Sequence, residues 1–405
     1  MAVTRWKVGW RAGSGLVLTL ALGWLFYDPP LGPGVAAVRD QSHPFDDNPR
    51  NAYWLLAGMG QPEPVHAGRA WVAAIKAHEA AGADLPWPVL PQAVVVANDA
   101  MRCDATDRNC WQAPPPATTV GLASATTLAT HYASFLALPV YSEFVLPSLN
   151  HEGPLPAFAP LAHAQQAFHA RLVRFPPTAS ALLVVLQQER AGLAQMLTGS
   201  RTVISKLIAL RMAHRHAFFV HDAVRAKRLP DAPAALAALT EPFSAAQVSL
   251  HSALKLELQM QLKLIERLPA AGTAKTGSDA SRPLAGAWQW AFMRLVLKPQ
   301  ATSNHAHHQF QKVLALAAQA DGTPPAPAFP APGDWTFNPV GRRVLAELPV
   351  NLESYVHRTA MLPRLQLALN ACRATLQPTV PVTWVGPPSE KAHFKARFDG
   401  DALRC

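Results

Sequence analysis

Written as a string of apolar and polar positions, the chain opens on an uncharged run over residues 12–27. Sixteen helical residues rise about 24 Å, short of the roughly 30 Å hydrocarbon core, and Val8 and Trp10 lengthen the run if Arg11 snorkels. Arg5, Lys7 and Arg11 precede it, and Trp24, Phe26 and Tyr27 close it like an interfacial aromatic belt. The pattern predicts a transmembrane signal-anchor over 12–27, with residues 1–11 in the cytoplasm and the body exported. A cleaved signal is the rival reading, but the small residues Val35, Ala36 and Ala37 lie well past Tyr27. No later stretch is an uninterrupted apolar run of spanning length.

Residues 28–49 carry Pro29, Pro30, Pro33, Pro44 and Pro49 and read as a semi-stiff spacer. Beyond it the apolar positions recur with helical period. Helices are predicted over 52–60, 67–81, 119–138, 157–174, 178–197 and 199–229, punctuated by glycine and proline, with Asn48 before Pro49 as the cap of the first. Residues 254–264 alternate apolar and polar with period two, a strand pattern, yet all are good helix formers. With Ser244 and Gln247 as a capping box ahead of them, 244–267 is read as helix.

Linkers at 270–281 and 321–334 set off 283–320 as a two-helix insert between a main domain at 50–269 and a C-terminal part at 335–405. The last helices are expected over 339–348 and 351–376. Residues 379–385 have strand composition, confined by Pro381 to an edge or an extended tail. The fold class expected is all-α, an irregular multi-helix bundle behind one N-terminal membrane helix.

Composition sharpens this. Among 405 residues, 38 prolines against 22 glycines argue against one long coiled coil. The formal net charge is +10, and the excess is local, because 201–228 holds seven basic residues against the single acid Asp222. The four cysteines form no Cys-x-x-Cys, which excludes zinc ribbons, thioredoxin-like centres and c-type haem attachment. In an oxidising compartment they pair, Cys103 with Cys110 around a short polar loop and Cys372 with Cys405 to tie down the tail; free thiols are the alternative in a cytosol.

The usual nucleophile, phosphate-loop, zinc and dinucleotide signatures are missing, so catalytic residues stay unassigned and no cofactor or metal is expected. The most chemical stretch is 211–225. At 100° per residue, Arg211, His214, Arg215, His221, Asp222 and Arg225 share one helix face. A solvated face with Asp222 pairing Arg225 is the plain reading, and an anion site for phosphate, a lipid headgroup or an acidic partner is the functional one. His214 and His221 lie two turns apart, too far to share one metal ion. His305, His307 and His308 read as a solvated helix start, and the tryptophans as packing residues rather than sugar platforms.

Asn51 to Gly58, then His66 to Arg69, the Cys103 to Cys110 loop, and Asn338-Pro-Val-Gly341 ahead of Tyr355 and Arg358 together resemble single-span, exported proteobacterial proteins of unknown function. The resemblance implies an envelope location and carries no catalytic residue. The expected function is a membrane-anchored periplasmic protein that binds an envelope component, with the inner membrane, anionic lipid or an envelope protein as partner and no nucleic acid. The alternative is a hydrolase or transferase acting on an anionic envelope substrate.

Overall fold

The computed structural model describes residues 25, 27–81, 86–89, 102–114, 122–146, 148, 153–274, 292, 296–321, 338–347, 352–375, 379–384, 391–394 and 397–405. The expected anchor at 12–27 lies outside them except for Leu25 and Tyr27. Among the described residues no helix is long and apolar enough to cross a membrane.

The stretch expected as a free spacer is folded onto the body instead. Pro33–Arg39 forms a helix, α1, whose Val35 is buried. Asp28 accepts hydrogen bonds from Gln300 N and Ala301 N at 3.1 and 2.9 Å, and Gly32 N donates to Asn304 Oδ1 at 2.9 Å. Proline does stiffen this segment, but the unpaired N–H groups of a helix start give it partners that free chain lacks.

Tyr53–Ala57 (α2) and Pro64–Ala81 (α3) meet backbone to backbone. A Cβ on Gly58 would stand 1.9 Å from Pro64 O, and one on Gly68 1.9 Å from Trp54 O, so both positions need glycine. The entry residue is Asn51 rather than Asn48. Asn51 Oδ1 accepts from Tyr53 N and Ser142 N, both at 3.0 Å, while Asn48 Oδ1 closes a local turn on Arg50 N.

Leu122–Ala137 (α4), Phe158–Arg174 (α5), Ala179–Gly199 (α6) and Val203–Arg225 (α7) follow the expected pattern. Thr178 and Thr202 cap α6 and α7 through Ala181 N and Ser205 N at 3.3 and 3.2 Å. Next come Pro233–Thr240 (α8), Ala245–Val248 (α9) and His251–Ala274 (α10). The period-two segment is helical and the Ser244–Gln247 capping box is present. The single helix expected there is two, because the chain turns at Ser249, whose hydroxyl accepts from His251 N at 3.0 Å. Pro299–Asp321 (α11), Pro339–Glu347 (α12) and Leu352–Thr375 (α13) complete the helices, α11 packing on α10, α12 and α13.

The tail forms a small antiparallel sheet of Thr379–Pro381 (β1), Phe398–Asp399 (β2) and Ala402–Arg404 (β3), in the order β1-β3-β2 with Val380 opposite Leu403. Pro381 lies in an edge strand, where its missing N–H costs no ladder bond.

The fold is therefore mainly α, built on two main apolar cores. The larger gathers α2 to α8, the second half of α13 and the sheet. The smaller is formed by α1, α10, α11, α12 and the start of α13. Along α13, Leu352 and Val356 belong to the smaller core and Met361 to Cys372 to the larger, with Pro363 inside the helix near the changeover. Cys103 is bonded to Cys110 and Cys372 to Cys405, with Cα separations of 6.0 and 5.2 Å.

Candidate functional site

Helix α7 carries all six candidate anion-binding residues, and the expectation that they form one solvated face is corrected here. Four of the six are buried: His214, Arg215, His221 and Asp222; Arg211 and Arg225 are exposed. The sequence pattern was polar, but α7 is central, packed against α5, α6, α8, α10 and α13, so its polar side chains meet protein rather than water. Three separate environments result.

The first is the centre of the bundle. Glu189 of α6, fully buried, accepts from Tyr132 OH and Gln165 Nε2 at 3.0 Å, from His169 Nε2 at 3.0 Å and from His216 Nδ1 at 2.9 Å. Burial pushes its carboxyl up, but His169 and His216 outweigh that and hold it well below the usual carboxylate range. An ionised carboxylate only accepts, so each of the four neighbours donates to it. The cluster ties α4, α5, α6 and α7 together at one point, and His169 stacks on Phe219 with ring centroids 4.0 Å apart.

The second environment is a clamp on the Cys103–Cys110 loop. Asp222 does not pair Arg225. It is held by Arg397 of the tail, whose Nη1 donates to Asp222 Oδ1 at 2.9 Å and whose Nε donates to Ala105 O at 3.1 Å. Arg215 reaches the same loop through Asp104, with Nε at 3.1 Å from Oδ1 and Nη2 at 3.0 Å from Oδ2. Burial raises the Asp104 carboxyl, but Arg215 and Thr106 prevail and bring it to about 2. Both charges needed for a mobile anion are thus already spent on protein carboxylates. His221 lies beside a gap of about 20 Å³ that has room for about one water. Burial, with Arg225 and Arg397 nearby, lowers it to about 4.

The third environment is open. A cleft of about 260 Å³ lies between the first half of α7, α13 and the tail. Its apolar lining is Leu207, Ile208, Leu210, Met361, Trp384 and Phe394. Its polar lining is Thr106, Arg211, His214 and Arg358. Phe394 meets the edge of the His214 ring at 5.6 Å and Trp384 at 5.8 Å, so the tail supplies one wall. His214 is buried, and its Nε2 has no hydrogen-bond partner among the described residues. Burial, aided by Arg211, lowers it to about 4, so the ring is neutral at neutral pH. Arg211 makes no ion pair among the described residues.

Of the residues expected at one site, the structure keeps only Arg211 and His214 together in the cleft. Arg215 and Asp222 belong to the clamp, His221 to a separate small gap, and Arg225 stands outside on the surface. Arg358, Trp384 and Phe394 were missed as site residues because they come from α13 and the tail, more than a hundred residues away in the chain. Glu189 had a signal in the sequence. It occupies an apolar slot in the stripe Leu182, Leu186, Leu193, Met196, where only a partnered charge is tolerated.

No family model, curated protein or solved structure matches the chain.

Proposed function

We propose that the protein is held in a bacterial inner membrane by residues 12–27 with its helical body in the periplasm, and that it works there by binding a negatively charged component of the envelope. The observation that carries the binding reading is the cleft, where an unpartnered buried His214 and the guanidinium groups of Arg211 and Arg358 line an apolar hollow. Guanidinium groups match carboxylate and phosphate oxygens in geometry as well as charge. Two bonded cysteine pairs fit an oxidising compartment, and the basic residues before the uncharged run fit an orientation with the body outside.

His214 also supplies a reason to favour binding over acid–base catalysis. A ring held at about 4 is a weak base at neutral pH, and no carboxylate hydrogen-bonds to it among the described residues. As a neutral donor it suits ligand binding.

Two measurements test the reading. A reporter fused after Cys405 should be active only if it works outside the cytoplasm, and the protein should stay with membranes through alkaline carbonate. Soluble release with a new N-terminus near Val38 defeats the anchor. For the cleft, the combined Arg211→Glu and Arg358→Glu variant should bind the anionic apolar dye 1-anilinonaphthalene-8-sulfonate at least about tenfold more weakly, with native circular dichroism. Equal dye binding removes the cleft from the function.

A further inference from the structure

We propose that the cleft takes a free single-chain amphiphile, its anionic carboxylate or phosphate head between Arg211 and Arg358 and its alkyl chain against Leu210, Met361, Trp384 and Phe394. This rests on the binding reading above and names the class of ligand.

The lining divides by chemistry and by exposure. Arg211 is exposed, Arg358, Leu207, Ile208, Trp384 and Phe394 are half-buried, and Leu210 and Met361 are buried, so the hollow runs from a charged outer edge to an apolar floor. An inorganic anion would use the first and leave the second wet. An uncharged hydrocarbon would fill the second and leave His214 Nε2 with nothing to bond. Only a molecule with both parts satisfies the whole lining, and the Nε2–H tautomer of His214 then donates to a head oxygen. Thr106, at the edge of the disulfide loop, adds a hydroxyl to the polar side, although its Oγ1 already donates to Asp104 Oδ1 at 2.6 Å.

One acid opposes the assignment. Asp107, on the same loop, feels the field of Arg211 but makes no hydrogen bond to it; burial and then Asp104 push its carboxyl above the ordinary range. Arg211, which makes no ion pair among the described residues, therefore keeps its positive charge on the polar rim. At about 260 Å³ the hollow is at the small end of ligand pockets, a size that suits one alkyl chain.

The test is isothermal titration of the detergent-extracted full chain with monomeric octanoate, decanoate and decyl phosphate, against decanol, decyltrimethylammonium and inorganic phosphate, all below micelle concentration. Burying one methylene is worth about 0.8 kcal/mol, about fourfold in affinity, so decanoate should bind about fifteenfold more tightly than octanoate. Decanol and the cationic amphiphile should bind at least about tenfold more weakly than decanoate. Arg211→Ala should reduce decanoate affinity several-fold, and Ile208→Trp, which fills the hollow, should abolish chain-length dependence while leaving circular dichroism unchanged.

Inorganic phosphate binding as well as decyl phosphate would overturn the amphiphile while sparing the anion-binding reading. Loss of discrimination between decanoate and the cationic amphiphile would overturn both. Sedimentation with phosphatidylglycerol vesicles separates a free ligand from a bilayer surface: vesicle binding without monomer binding would also overturn the proposal.

Discussion

Two groups of polar residues one or two turns apart on α7 have opposite fates, and the contrast separates structure from function in this protein. At His216 and Asp222 each polar group meets a dedicated partner from another element: Glu189 from α6, Arg397 from the tail. At Arg211 and His214 the same helix presents a charge with no ion pair and a ring nitrogen with no hydrogen-bond partner among the described residues. Residue type does not distinguish the two groups, since each joins a histidine to a charged side chain. Partnership does, and partnership is set by which remote segment packs there. Where the Cys103–Cys110 loop and Arg397 pack, the polar face becomes a clamp. Where the aromatic part of the tail meets α7 through Phe394 against His214 and Phe218, a cleft remains beside the contact.

The contrast is broken most strongly from the closed side. Asp222→Ala leaves Arg397 buried among the Ala105 and Arg108 carbonyls with no carboxylate, and Glu189→Ala leaves His169 and His216 with no acceptor. Removing one partner of a buried pair costs about 3–5 kcal/mol, and urea unfolding of each variant should show a loss of that size. Variants as stable as the parent would mean that the closed group is no more structural than the open one.

The tail's covalent tie comes next. The Cys372–Cys405 bond spans 33 residues, and on the chain-entropy relation its loss costs about 4 kcal/mol against about 2 kcal/mol for the seven-residue Cys103–Cys110 separation. Cys405→Ser with Cys372→Ser should therefore lower the melting midpoint more than Cys103→Ser with Cys110→Ser. It should also weaken binding of the anionic dye, because Trp384 and Phe394 of the cleft wall belong to the same tail. An equal drop for both pairs, with dye binding intact, would detach the wall from the bond.

Acid sharpens the same comparison. His214 and His221, each at about 4 in the folded protein against an ordinary 6.5, stay neutral in the fold while the unfolded chain takes up protons. The unfolded state binds more protons between those values, so stability is full above about 6.5 and falls as pH drops toward 4. At 1.36 kcal/mol per unit the two together account for a loss of a few kcal/mol. Asp104, held at about 2, adds its share only below its ordinary 3.8. Stability measured in urea at pH 7 and pH 4.5 should differ by that amount, and His221→Phe should flatten the slope. A flat profile in the parent protein would show that neither ring is shielded.

Much of this fold was legible from the order of apolar residues. The spans of α4, α5, α6 and α7 follow helical periodicity, the Ser244 capping box is local chemistry, and both cysteine pairs are bonded as expected. The spacer was misread because proline reports stiffness but not what the stiff segment lies against, here Asn304 and the start of α11. The polar face of α7 was misread for the same reason: Arg397 and Asp104, which bury its charges, lie 175 and 111 positions away in sequence. A helical wheel shows which residues share a side but not which segment that side meets.

The smallest effect on stability is the most informative about the cleft. Arg211 is exposed and makes no ion pair among the described residues, so Arg211→Ala should change unfolding free energy by no more than about 0.5 kcal/mol. The same substitution takes away one of the two guanidinium groups on the cleft rim and also relieves His214 of a neighbouring positive charge. Anion binding should then fall several-fold while the melting curve is superimposable on the parent's, and the His214 ring should titrate closer to its ordinary value by NMR. Arg215→Ala is the matched control, because it strands Asp104 on the closed side: that variant should melt early. If Arg211→Ala is the one that melts early, Arg211 belongs with the clamp, and the line drawn between the two groups of α7 is in the wrong place.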